Sequence, residues 1–174
     1  MRLILAVLAV LLGLVLAGLG LRLYLGRAAE SRLAPDEIVD FAARNVAGRS
    51  NVFASCPPGF CTPAAELTSP VFPLSWERLR EAWDAVIAAQ SRVERVAWDE
   101  GLRRATYIEH SALLRFPDIV TVAFVPIGAD KASLAIDSRS RYGKADFGVN
   151  RRRVEAWLSL LRQRIGQDEA PSGG

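Results

Sequence analysis

Apolar positions follow three different rhythms along the chain. From Leu3 to Leu21 the residues are apolar or glycine and none is charged. At about 1.5 Å per residue such a helix nearly crosses a hydrocarbon core of about 30 Å, and Leu23, Tyr24 and Leu25 beyond Arg22 complete the span. Two later segments repeat at helical spacing. Ser75 reads as an N-cap, with Trp76, Leu79, Trp83, Val86 and Ile87 on one face of a helix ending near Gln90. Asn150 reads as a second cap, followed by Val154, Trp157, Leu158, Leu161 and Ile165 before Gly166. Leu74 with Leu79, and Val149 with Val154, stand at the spacing of hydrophobic staples.

Between these helices the period shortens to two. Arg92 to Trp98, Leu102 to Glu109, Ile119 to Ile127 and Ala132 to Ser138 are predicted strands, joined by turn formers at Asp99-Glu100-Gly101 and Gly128-Ala129-Asp130-Lys131. The expected fold class is therefore α+β: an antiparallel four-stranded meander covered by an N-terminal and a C-terminal helix, preceded by one transmembrane helix. Pro35, Asp36 and Glu37 suit the start of a short helix carrying Ile38, Phe41 and Val46. From Gly48 to Pro73 no period holds, and an irregular loop is expected, with a strand at Asn51 to Ala54 the one regular element it could contain. The corresponding division is 1–25 anchor, 26–73 juxtamembrane helix and Pro-rich segment, 74–166 α+β domain, and 167–174 disordered tail.

Charge is unevenly spread. The net value is +3, yet residues 23 to 100 hold 8 Arg against 11 acids, whereas 139 to 164 hold 8 basic residues against 2 acids. A basic run near the C-terminus can face an anion or simply be solvated. Nothing in the pattern calls for nucleic acid.

The N-terminal segment is longer than the apolar core of a cleaved signal peptide, and cleavage after Ala29 would put Arg27 where a small residue is required, so a retained anchor is expected. Arg22, Arg27 and Arg32 after the helix would keep the domain cytoplasmic by the positive-inside rule. Cys56 and Cys61, the only cysteines, argue the other way, because a short loop of turn formers between them can close as a disulfide in an oxidising compartment. Two free thiols are the alternative. A redox pair normally has two intervening residues, and zinc would need further ligands although His110 is the only histidine. The expected placement is a single-pass bacterial inner-membrane protein with a periplasmic domain. Ala6, Ala9, Gly13, Ala17 and Gly20 share one helix face, as in helices that dimerise, although such residues are common in membrane spans.

The densest polar stretch runs from Asp137 to Asn150 and is followed by Arg151, Arg152 and Arg153. A helix N-terminus beside Arg139, Arg141 or Arg151 can hold a carboxylate or phosphate. The glycine spacing matches neither the P-loop nor the dinucleotide fingerprint. The competing reading pairs Arg139 and Arg141 with Asp118 and Asp146 and leaves Asn150 as a cap. Glu109, His110 and Ser111 do not make a triad, since neighbours on a strand point to opposite faces.

Phe116-Pro117-Asp118, Ser138-Arg139-Ser140-Arg141-Tyr142-Gly143 and Asp146-Phe147-Gly148-Val149-Asn150-Arg151 with Arg153 resemble the uncharacterised bacterial family called domain of unknown function 1499. The likeness covers roughly residues 74 to 165 and implies a membrane-associated α+β domain, with no reaction, cofactor or catalytic residue attached. The expected function is a non-catalytic envelope protein binding an anionic lipid, glycan or protein through the basic loop, with Arg139, Arg141, Asn150, Arg151, Asp118 and Asp146 as candidate ligand residues. The alternatives are a hydrolase or transferase using Asp118, Asp146 or His110 on an anionic substrate, and a structural subunit of a membrane assembly. No cofactor or metal is expected.

Overall fold

A computed structural model describes residues 2–29, 33–34, 37–113 and 115–169. Helix α1 spans Arg2–Ala29, and its apolar stretch Ile4–Leu21 has no buried residue, so among the described residues it is the helix long and apolar enough to cross a membrane. A signal sequence near an N-terminus meets the same criterion.

The rest builds around one mixed sheet. Its strands are β1 (Val52–Cys56), β2 (Leu67–Thr68), β3 (Val71–Phe72), β4 (Val93–Asp99), β5 (Arg104–His110), β6 (Pro117–Gly128) and β7 (Lys131–Ser140), with α2 (Trp76–Ala88) before β4 and α3 (Val149–Glu169) after β7. The order across the sheet is β2-β1-β7-β6-β5-β4, with β3 also paired to β7. β1 and β2 are parallel and all other pairs antiparallel.

The meander β4 to β7 follows the alternation in the sequence, but the sheet has seven strands, not four. The correction comes from the Pro-rich segment, which supplies β1 to β3. β6 and β7 are buried on both faces over most of their length, so a second cover is needed opposite the helices. On the helical face Leu79, Trp83, Val154, Trp157 and Leu161 pack with Tyr107, Val120, Val122, Phe124, Leu134 and Ile136 in one core. On the other face Ala123, Val125 and Ala135 pack under Val39, Phe41 and Cys56, with Cys61 and Ala65 at the margin. The small residues on β6 and β7 there let an irregular segment lie close to the sheet, while the large ones opposite fill the space beneath helices.

The expected helix from Pro35 to Gly48 is also corrected. Pro35 and Asp36 lie outside the described residues; beyond them Glu37 has 3-10 geometry, and a separate 3-10 turn, Phe41–Ala43, is capped by Asp40, with no α-helix between Glu37 and Gly48. Ser75 caps α2 as expected, accepting from the Arg78 N–H. At α3 the cap is not Asn150. Val149 already belongs to the helix and is exposed, so its staple with Val154 is not formed as an N′ contact, and Asn150 is buried inside the first turn. The expected tail from 167 is corrected in its first residues, since α3 continues through Glu169; residues 170–174 lie outside the described residues.

Candidate functional site

Antiparallel pairing of Asp118 with Ser140 brings the turn before β6 and the loop after β7 to one end of the sheet. The turn Gly48–Asn51 joins them. Ser50 Oγ donates to the Lys144 carbonyl and Asn51 Nδ2 donates to the carbonyls of Ser140 (3.2 Å) and Gly143 (2.9 Å). The candidate ligand residues Asp118, Arg139, Arg141, Asp146, Asn150 and Arg151 belong to β6, β7, the loop after β7 and the start of α3, at or near this end.

Asp146 organises the entry to α3. Its carboxylate accepts from the N–H groups of Gly148 (3.0 Å) and Asn150 (2.9 Å), taking the capping role expected of Asn150. Burial pulls its pKa upward, but the N–H bonds from Asn150 and Gly148 outweigh that and hold the carboxyl below its ordinary value. Freed from capping, Asn150 turns inward. Its amide donates to the Asn51 carbonyl (2.9 Å), and its Oδ1 accepts from Ser138 Oγ (2.8 Å) and Arg153 Nη1 (2.6 Å).

Arg153 is the centre of this cluster. Its guanidinium donates to Asp118 (2.5 Å), Glu109, Ser138 Oγ (2.8 Å) and Asn150, from a buried position under the first turn of α3. Two carboxylates and two neutral acceptors around one planar fork satisfy the geometry a buried arginine needs. The expected partners of Asp118 are thereby corrected: Arg153 holds it, and neither Arg139 nor Arg141 does.

Arg139 and Arg141 find other acids. Arg139 Nε donates to Asp137 Oδ1 at 2.7 Å, while Arg44 Nε reaches Oδ2 of the same fully buried carboxylate at 3.0 Å. Arg44 also donates to the carbonyls of Pro63 and Ala64 and approaches Glu66, whose Oε2 accepts from the Ala54 N–H. This chain of charges fastens the Pro-rich segment to the sheet. Arg141 pairs with Glu37 at 2.6 Å, tying the residues just after α1 to the loop after β7. Arg151 pairs with Glu155 at 3.4 Å and lies over the Phe53 ring.

What stays open to solvent is a depression of about 510 Å³ lined by Gly48, Arg49, Ser50, Asn51, Arg141 and Lys144 among others. Arg49 and Lys144 make no ion pair among the described residues, so two uncompensated cations and the Arg141–Glu37 pair share one concave surface. The sequence reading missed Arg49 and Lys144 because they stand almost a hundred residues apart; the bridge between Ser50 and Ala145 and the bonds from Ser50 and Asn51 to the loop after β7 bring them together.

Cys56 and Cys61 are joined as a disulfide that closes the loop after β1. Glu109 faces Arg153, whereas Ser111 Oγ accepts from the Phe116 N–H in the following turn, so the two do not converge on His110. Among the described residues no group of three or more His, Cys, Asp or Glu is placed to hold a metal ion.

Residues 53–161, more than half of the chain, match the family described as a protein of unknown function, DUF1499. The chain belongs to the DUF1499 family. No curated protein matches it. Among solved structures, this family member is similar to the di-domain ARO/CYC BexL from the BE-7585A biosynthetic pathway, at 14% identity and TM-score 0.44, covering 59% of this chain and 46% of that one. The chain thus spans less than half the length of that protein. It is also similar to TTHA0849 from Thermus thermophilus (14% identity, TM-score 0.34, 59% and 97% covered) and to a START superfamily protein from Mycobacterium smegmatis (9% identity, TM-score 0.36, 68% and 96% covered). At such scores none of these likenesses bears on the reading of the site.

Proposed function

We propose that this DUF1499 protein is a single-pass inner-membrane protein whose domain stands outside the cytoplasm and binds an anionic group, without catalysis, at the end of the sheet that carries Arg49, Arg141 and Lys144. The observation that carries the reading is the contrast between two kinds of arginine. Arg44, Arg139 and Arg153 are buried and each is paired with a carboxylate, which makes them parts of the scaffold. Arg49 and Lys144 instead line an open depression with no carboxylate partner among the described residues. Cations that hold the fold together need acids beside them, whereas cations left uncompensated in a concave surface are placed to meet an anion from outside.

The Cys56–Cys61 disulfide supports the extracytoplasmic side, since reducing compartments keep such pairs open. Asp118 and Glu109 serve Arg153, which argues against their use as free acids or bases in a hydrolase.

The test is purification of the full chain from native membranes with identification of what co-purifies. An anionic lipid, glycan or acidic protein that is lost on changing Arg49 and Lys144 to Glu is the expected result. Recovery of the same species with the doubly changed protein would overturn the assignment.

A further inference from the structure

Four large apolar side chains project from the same end of the sheet, and no core receives them. Phe147 is 89% exposed and Leu113 74%, with Tyr142 and Phe116 about half exposed beside them. Phe116 and Tyr142 meet edge to face, centroids 6.5 Å apart, which joins the turn before β6 to the loop after β7 in one surface. Phe147 also sits at φ +52°, a left-handed conformation that a bulky side chain disfavours, and the Arg152 guanidinium holds its carbonyl at 3.0 Å. Backbone strain that displays an aromatic ring to solvent stabilises nothing in the fold.

Lys144 stands in the same loop as Tyr142 and Phe147, Arg152 bonds the Phe147 carbonyl, and Arg49 lines the adjoining depression with Lys144, so the surface is apolar at its tips with cations beside it. That is the composition of an interfacial membrane anchor: rings enter the headgroup boundary while the cations meet anionic phosphates. The tether leads to the same end. Glu37, held on Arg141, follows Ala29 by eight residues, so no more than about 29 Å of chain separates the end of α1 from this surface. From Leu21 to Ala29 α1 adds about 12 Å. The tether is fastened to this end of a domain roughly 35 Å across, and its reach lets this end lie against the bilayer.

We infer that Leu113 and Phe116, before β6, and the loop Tyr142–Val149 form a membrane-docking surface that inserts Phe147 and Leu113 into the interface of an anionic bilayer. The inference rests on the membrane tether proposed above and names the bilayer surface as partner of this end of the domain. Docking would hold the depression of Arg49 and Lys144 at headgroup level.

The test uses the full chain in phosphatidylcholine nanodiscs with and without phosphatidylglycerol. A polarity-sensitive fluorophore is attached through Leu113→Cys, through Phe147→Cys, or through Asp130→Cys in the β6–β7 turn at the opposite end, and quenching by spin-labelled lipid is read. Quenching and a blue shift at 113 and 147 but not at 130, in discs containing phosphatidylglycerol, is the expected result. With the label at 113, Phe147→Ser should lower the docked-to-undocked ratio by about tenfold, the equivalent of about 1.4 kcal/mol. Phe147 supports no core, so this variant folds. Labels at 113 and 147 that stay as aqueous as that at 130 in both kinds of disc would overturn the docking surface. Equal quenching in neutral discs would support docking while overturning the anion reading of the preceding subsection, so the two fail separately.

Discussion

Replacing Arg153 by alanine should be among the most damaging single changes in the domain. The guanidinium bonds four acceptors, and the side chains of Asp118 and Glu109 that face it are only 12% and 17% exposed. Removing it leaves Asp118 without its cation and Glu109 with only the longer contact to Arg92 at 3.6 Å, and leaves Ser138 and Asn150 each short of a donor. Breaking a buried pair by deleting one partner costs about 3–5 kcal/mol, a large share of the roughly 5–15 kcal/mol that holds a domain of this kind together. With an unfolding entropy of about 2.1 cal/mol/K per residue, that corresponds to a melting temperature lowered by about 10–15 °C. Arg153→Lys should recover only part of the loss, because an ammonium cannot present a planar fork to both carboxylates. The assay is thermal unfolding of the chain beginning near Ala34, followed by circular dichroism and tryptophan fluorescence. In a double-mutant cycle with Asp118→Ala the two losses should be far from additive. A melting temperature within about 2 °C of the parent for Arg153→Ala would refute the claim that this network holds α3 on the sheet.

Three further outcomes follow from the same geometry. Asp146→Ala removes a cap and no ion pair, so it should cost about 0.5–2 kcal/mol; because the carboxyl is held below its ordinary value, its contribution is present above about pH 4 and fades as pH falls through the folded pKa, which acid unfolding of the parent and the variant compares. Tyr107, buried and with its pKa pushed up to about 12 by burial despite the bond from Trp83 Nε1, contributes stability that is intact below about pH 10 and is lost between about pH 10 and 12, so alkaline unfolding should shift upward in Tyr107→Phe even though that variant loses some stability at neutral pH by leaving Trp83 without its acceptor. Alkaline phosphatase fused after Gly174 should be active and Cys56 and Cys61 should resist alkylation in freshly isolated cells; an inactive fusion with alkylated thiols would place the domain on the cytoplasmic side.

The four strands from β4 to β7 were legible because Val120, Val122, Phe124, Leu134 and Ile136 alternate and turn formers separate the runs. Both helices were legible because their apolar stripes are long. The remaining strands were not, since β2 and β3 have two residues each and the prolines around them hide any period. β1 was foreshadowed at Asn51 to Ala54, but its place in the middle of the sheet depends on β7, more than eighty residues away. The polar end of the domain was visible as a density of Arg, Asp and Asn after β7. Its pairings were not, because Asp137 takes Arg44, Arg141 takes Glu37, and Asp118 takes Arg153, contacts that sequence spacing cannot supply. Capping by Asp146 in place of Asn150 likewise follows from a loop that turns at Gly148, φ +77°, and brings the acid back over the first free N–H groups.

The most direct measurement of the central claim is co-sedimentation of the chain beginning near Ala34 with lipid vesicles across a salt series. If Arg49 and Lys144 meet an anion, the protein should bind phosphatidylglycerol or cardiolipin vesicles at low ionic strength, release them at about 0.5 M salt, where the Debye length is only a few Å, and ignore phosphatidylcholine. Changing Arg49 and Lys144 to Glu should abolish binding with the melting temperature unchanged, since neither makes an ion pair within the described fold. Binding to anionic vesicles that is insensitive to salt and to these two changes, or no binding to either lipid at low salt, would contradict the account.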